Sequence, residues 1–153
     1  MTTLIVRRNR WVMAQVKIDL SFTVNNDIDV DYITQKIGML PTQAVESNGL
    51  DSAVTLGLHQ FENKWSISTD ITETDDAECL IEELLSLMIP KKDLLAEMST
   101  VFGGTWMVRI VGLVHKGEIP AVYLGRRFLD FCKDIQAGVL YDIQVSPNYN
   151  DDV

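Results

Sequence analysis

The stretch from Asp29 to Thr42 constrains how the fold begins more tightly than any other part of this 153-residue chain. It carries a short amphipathic helix, a stop signal and a turn, directly behind a long alternating run. In that run Val12, Ala14, Val16, Ile18, Leu20, Phe22 and Val24 are apolar, and Gln15, Lys17, Asp19, Ser21 and Thr23 lie between them. Period two over this length predicts a strand with one face on a core and the other in water. Asn25, Asn26 and Asp27 then turn the chain. Asp29 or Asp31 caps the helix that follows, and Val30, Ile33 and Ile37 fall on one stripe. Gly38 suits the left-handed position behind a helix, and Pro41 forbids its continuation.

The remaining elements follow from weaker patterns. Val54, Leu56 and Leu58 alternate, as do Trp65, Ile67, Thr69 and Ile71, which predicts a hairpin with Glu62 and Asn63 between its arms. The segment from Gln43 to Ser52, with Ser47-Asn48-Gly49, reads as an exposed loop. Thr74 and Asp75 open a helix in which Ala77, Leu80, Ile81, Leu84, Leu85 and Met88 share one face. Asp75 and Glu78 form a capping pair there, and Pro90 ends or kinks the helix. A second helix runs from Lys91 to Ser99 with Leu94, Leu95 and Met98 inward, closed by Gly103-Gly104. Thr105 to His115 is apolar on both faces, which predicts a central strand covered on both sides, with Arg109 in need of a partner. A short strand follows from Ile119 to Leu124. The helix from Gly125 to Gln136 turns Phe128, Phe131, Cys132 and Ile135 inward, and Val139, Tyr141, Ile143 and Val145 alternate in a last strand.

Helices returning between strands predict an α+β layer sandwich: a mainly antiparallel sheet with helices packed on one face. The expected organisation is a basic N-terminal arm over residues 1–11, a single domain over 12–145 and a polar tail over 146–153. With 46% hydrophobic and 23% charged residues the composition is that of an ordinary globular protein, long enough to bury a core without disulfides or metals. Cys79 and Cys132 lack CxxC spacing and sit in partly apolar helical stretches, so they read as two buried free thiols in a reducing cytoplasm. Neither a membrane span nor an export segment is expected. The first ten residues hold only Met1, Leu4, Ile5 and Val6 as apolar residues, and the run from Met98 to Val114 is broken by two glycines and Arg109.

The net charge of −9 disfavours nucleic-acid binding, because such a surface repels phosphate. The charge is uneven. Arg7, Arg8, Arg10 and Lys17 precede the first acidic residue, Asp19, whereas Asp70, Glu73, Asp75, Asp76, Glu78, Glu82 and Glu83 follow one another without a base. Asp75, Asp76, Glu82 and Glu83 lie off the buried stripe of their helix, so with Glu78 they are candidates for docking a basic protein partner. The simpler reading of the same residues is a solvated helix face with acids that complement the helix dipole.

The chain offers few residues in patterns that carry chemistry. His59 and His115 have no cysteine, histidine or carboxylate at a metal-ligand spacing, so neither a metal nor another cofactor is expected. No phosphate loop, dinucleotide fingerprint or nucleophile elbow is present. Gly125-Arg126-Arg127 places two guanidinium groups at a helix start, where a carboxylate or phosphate could be held. The simpler reading is two exposed arginines that offset the acidic body.

Ile33-Thr34, Gly38, Pro41-Thr42, Trp65 and Ser66 near the beginning, with Phe128-Leu129, Gly138 and Asp142-Ile143 near the end, carry a resemblance. Together they resemble a family of small bacterial proteins known as domain of unknown function 4279. The resemblance spans most of the chain from about Met13 onward. It departs at Gln144, where the family has an aromatic residue after the aspartate and isoleucine. It implies a ferredoxin-like α+β fold and, for some relatives, a place among immunity proteins that neutralise toxins of neighbouring bacteria. The function expected is therefore a non-enzymatic cytoplasmic protein that blocks the basic active site of a toxin. The alternative is a small-molecule sensor or enzyme with a pocket near Arg109, Arg126 and Arg127.

Overall fold

Strict alternation carries the first strand through the interior of the sheet. The computed structural model describes residues 14–25, 27–46, 62–115 and 119–145. In chain order the elements are β1 (Gln15–Asn25), α1 (Val30–Ile37), β2 (Gln43–Val45), β3 (Glu62–Ser68), β4 (Thr72–Glu73), α2 (Glu78–Met88), a 3-10 turn (Ile89–Lys91), α3 (Lys92–Phe102), β5 (Thr105–Val114), α4 (Arg126–Asp134) and β6 (Gly138–Val145). The strands form one sheet in the order β2-β3-β1-β5-β6, with β4 beside β1. All pairs are antiparallel except β5 with β6.

The α+β class expected from the sequence is the one observed. β1 and β2 are both antiparallel to β3, so they run parallel to each other with β3 inserted between them. β4 and the parallel edge strand β6 lie outside a four-stranded ferredoxin-like pattern. An open, six-stranded, mostly antiparallel sheet is the description that fits the whole.

The helices cover one face of this sheet because the apolar set of each strand points there. Ile18, Leu20 and Phe22 stand opposite Ile110, Val108 and Trp106, and all six join the helical residues Ile33, Leu84, Met88 and Phe131 in one core. At its centre the Phe22 and Trp106 rings lie 4.5 Å apart, and Trp65 meets Trp106 edge-on at 6.3 Å. The Trp106 indole N–H donates to the Leu95 carbonyl at 2.8 Å, tying β5 to α3. Gly104 presses against the Phe22 ring so closely that any added Cβ would collide with it. That close approach, rather than turn geometry, requires the glycine.

Local signals hold well around α1. Asp29, not Asp31, is the cap, its Oδ1 accepting the Asp31 N–H at 2.9 Å. Gly38 takes the left-handed conformation at φ 73, and its N–H closes on the Thr34 carbonyl. The Lys91 ammonium donates to the Ile37 carbonyl at 2.7 Å, satisfying another orphan acceptor of the last turn.

Several expectations are corrected. The segment at Gln43 begins as a short strand, β2, rather than a loop, and β3 includes Glu62 and Asn63, which were expected in a turn. The proposed partner arm at Val54, Leu56 and Leu58 lies outside the described residues, as do Ser47-Asn48-Gly49, His59, the N-terminal arm and the tail. β3 does not run on to Ile71. Asp19 faces Ser68 and Val16 faces Thr72, so the β3–β4 side has one extra residue, a bulge. Thr69 repairs the ladder there: its N–H donates to the Ile18 carbonyl, and its Oγ1 accepts the Ile18 N–H at 3.0 Å. Ile71 is left exposed.

α2 starts at Glu78 with Ala77 at its N-cap position and no side-chain cap; Asp76 rather than Asp75 meets the first turn, its Oδ1 accepting the Glu78 N–H at 2.9 Å. The strand expected from Ile119 to Leu124 is reduced to one bridge between Ala121 and Asp76, which pins the approach to α2. Proline at 120 and the brevity of the apolar run explain why no ladder extends further.

Cys132 is buried as expected, whereas Cys79 is exposed; both are free thiols. Burial pushes the Cys132 thiol from 9.0 up to about 11. The folded protein therefore keeps a proton that the unfolded chain releases, so stability declines as pH rises from 9.0 through about 11. Melting temperatures measured across that window should fall less steeply in Cys132→Ala than in the wild type. Parallel slopes would remove Cys132 from the alkaline transition.

Candidate functional site

α2 presents its acids because its apolar stripe is fully used. Leu80, Ile81, Leu84, Leu85 and Met88 are buried, so the 3.6-residue period turns Glu78, Glu82 and Glu83 outward. Asp75 is exposed just ahead of them, whereas Asp76 is half-buried and its carboxylate is spent on the Glu78 N–H. Of the five candidate partner-binding residues, three therefore share the outer helix face and one borders it.

Glu82 is not a free charge. Arg127, from the first turn of α4, forms an ion pair with it, both side chains being about half exposed. Arg127 thus belongs to the acidic face and not to a separate anion site. Among the described residues Glu78, Glu83 and Asp75 have no ion-pair partner, and neither has Arg126.

The surface beside Glu83 is not purely polar. Leu87 on α2 and Leu40 behind α1 are both exposed, and with Glu83, Thr42, Ser68 and Thr69 they border a cleft of about 180 Å³. A broader hollow of about 490 Å³ continues around the bulge, past Lys17, Asp70 and Ile71. Leu40 and Leu87 give no site signal in the sequence, because single apolar residues off a helix stripe are common and carry no pattern.

Arg109 lies on the other face of the sheet, so it does not join Arg126 and Arg127, which belong to the helical layer. Its guanidinium reaches Asp19 at 3.2 Å and Asp142 at 3.7 Å. Asp19 also accepts the Ser68 hydroxyl and lies 3.7 Å from the Lys17 ammonium. The register explains the network: Ser68, Asp19 and Arg109 stand opposite one another on β3, β1 and β5, and Asp142 follows diagonally on β6. Arg109 thus has the partners that its position in an apolar strand demanded. The supposedly wet face of β1 is correspondingly covered, with Asp19 and Ser21 only 8% and 5% exposed.

Among the described residues, no three His, Cys, Asp or Glu side chains are grouped so as to hold a metal ion. Nor is any helix among them long and apolar enough to cross a membrane.

The family model for "Domain of unknown function (DUF4279)" matches residues 14–146. The chain belongs to this family. The DUF4279 match takes in every element described above, from β1 to β6, so both the acidic helix and the Asp19–Arg109–Asp142 network are parts of the domain itself. No curated protein and no solved structure matches the chain. The residues that carried the DUF4279 resemblance serve the fold: Gly38 ends α1, and Trp65 and Phe128 fill the core.

Proposed function

We propose that this chain is a non-enzymatic protein-binding module that docks the outer face of α2 against a basic surface of its partner. Its biological role on this reading is that of a cytoplasmic immunity protein covering the basic active site of a bacterial toxin. The observation that carries the proposal is the outward cluster of Glu78, Glu82 and Glu83 on a helix locked to the core by its opposite face. Two of those three carboxylates have no cation beside them among the described residues. Like charges gathered on a rigid surface focus the field and steer a basic partner. Leu40 and Leu87, exposed next to Glu83, supply apolar area of the kind that slows dissociation once contact is made. The toxin part of the reading rests on the family resemblance, which implies a place among immunity proteins for some relatives.

The geometry also selects the variant that tests it. Glu82 is tied to Arg127, so reversing it would disturb the α2–α4 contact as well as the field. Glu78→Lys with Glu83→Lys leaves that pair intact. With the partner co-purified from the native host, the double variant should associate about tenfold more slowly at low salt, with a melting temperature only slightly lowered, because Glu78 lies in the first turn of α2 and its reversal opposes the helix dipole. An association rate equal to that of the wild type would remove the acidic face from the account.

A further inference from the structure

We infer that the chain pairs with a second copy of itself through β6, joining the two sheets edge to edge across a two-fold axis. Among the described residues nothing pairs with the outer side of β6, so along its eight residues the outward-pointing half of the backbone N–H and C=O groups has no strand partner among them. The opposite edge, β2, is three residues long. An open strand edge is a directional surface that another strand fills best.

The side chains point the same way. Val139, Leu140, Ile143 and Val145 are 40–69% exposed, an unusual density of large apolar groups for one edge strand. Edges are protected by charged side chains, above all lysine, by proline and by bulges, and β6 carries one such charge, Asp142. No lysine and no proline occurs between Gly138 and Val145, and the ladder to β5 runs unbroken from Met107↔Gly138 to Val114↔Val145.

Charge selects the occupant. Two copies that each carry a net charge of −9 repel one another, yet the only charged residue on β6 is Asp142, and Arg109 faces it at 3.7 Å. The strand is also complementary to itself. In an antiparallel pair centred on Ile143, with both helical layers on the same side, Tyr141 faces Val145 of the other copy and Ile143 faces Ile143. On the open side each Asp142 carboxylate then faces a Gln144 amide, which can donate to it. Centring the pair on Asp142 would set two carboxylates opposite each other, which is disfavoured. The residues involved are separate from those of α2, so this pairing does not depend on the partner-binding reading.

Sedimentation of the full chain between about 1 and 100 µM tests the inference. The expected species at the upper end has twice the 17.3 kDa chain mass. Ile143→Lys, a change at an exposed position, should give a monomer with the wild-type melting temperature. Gln144→Glu should weaken the dimer about tenfold by facing Asp142 with a second carboxylate, and Gln144→Lys should not weaken it. A wild-type monomer throughout the range, or a dimer that survives Ile143→Lys, overturns the proposal. A dimer indifferent to the charge at Gln144 overturns the pairing about Ile143.

Discussion

Trp106→Ala should destabilise the fold by about 3–5 kcal/mol, a large share of the stability of a domain this size. The indole is wholly buried where β1, β3 and β5 meet the helices, stacked near Phe22 and edge-on to Trp65. Removing it opens a cavity between rings held by the register of three strands, which cannot close on it without breaking that register. It also strips the Leu95 carbonyl of its donor and so loosens α3 from β5. Chemical denaturation followed by fluorescence and circular dichroism should show a lower midpoint with a nearly unchanged slope. A loss below about 1 kcal/mol would mean that the core repacks freely, contrary to the tight placement described above.

The second large effect belongs to Asp19. Asp19→Ala removes the carboxylate shared by Arg109, Lys17 and the Ser68 hydroxyl, and it should cost about 1–3 kcal/mol. Breaking a fully buried ion pair costs more, but the Arg109 side chain is 37% exposed and retains Asp142, so solvent and a second partner absorb part of the loss. Combining Asp19→Ala with Arg109→Met should cost less than the sum of the two single changes, since the second change removes an interaction that the first has already broken. Equilibrium unfolding of the two single variants and the double variant measures this directly. Strictly additive losses would show that Asp19 and Arg109 are not energetically coupled.

What could be read from the sequence follows the range of the interactions involved. β1 and α1 were legible because period-two alternation, an N-cap and a left-handed glycine act within a few residues. The acidic face was legible for the same reason, since helical spacing alone turns Glu78, Glu82 and Glu83 away from the core. The need of Arg109 for a partner followed from its apolar strand, but the identity of Asp19 did not, because the two lie 90 residues apart and meet only through the β1–β5 register. Arg127 illustrates the same limit: its pairing with Glu82 spans 45 residues and depends on how α4 packs against α2. β2 is too short to alternate visibly. The alternation of β6 marked it as a strand, yet its position at the sheet edge depends on strand order, which local periodicity does not encode.

The proposed docking mode makes α2 the origin of a long-range electrostatic attraction, and ionic strength is the most direct probe of that claim. Stopped-flow association of the wild-type chain with its basic partner, measured from low to physiological salt, should slow steeply while the dissociation rate changes little. An association rate that stays flat across the same salt range would contradict the account, because contacts made only at short range are the ones that screening leaves untouched.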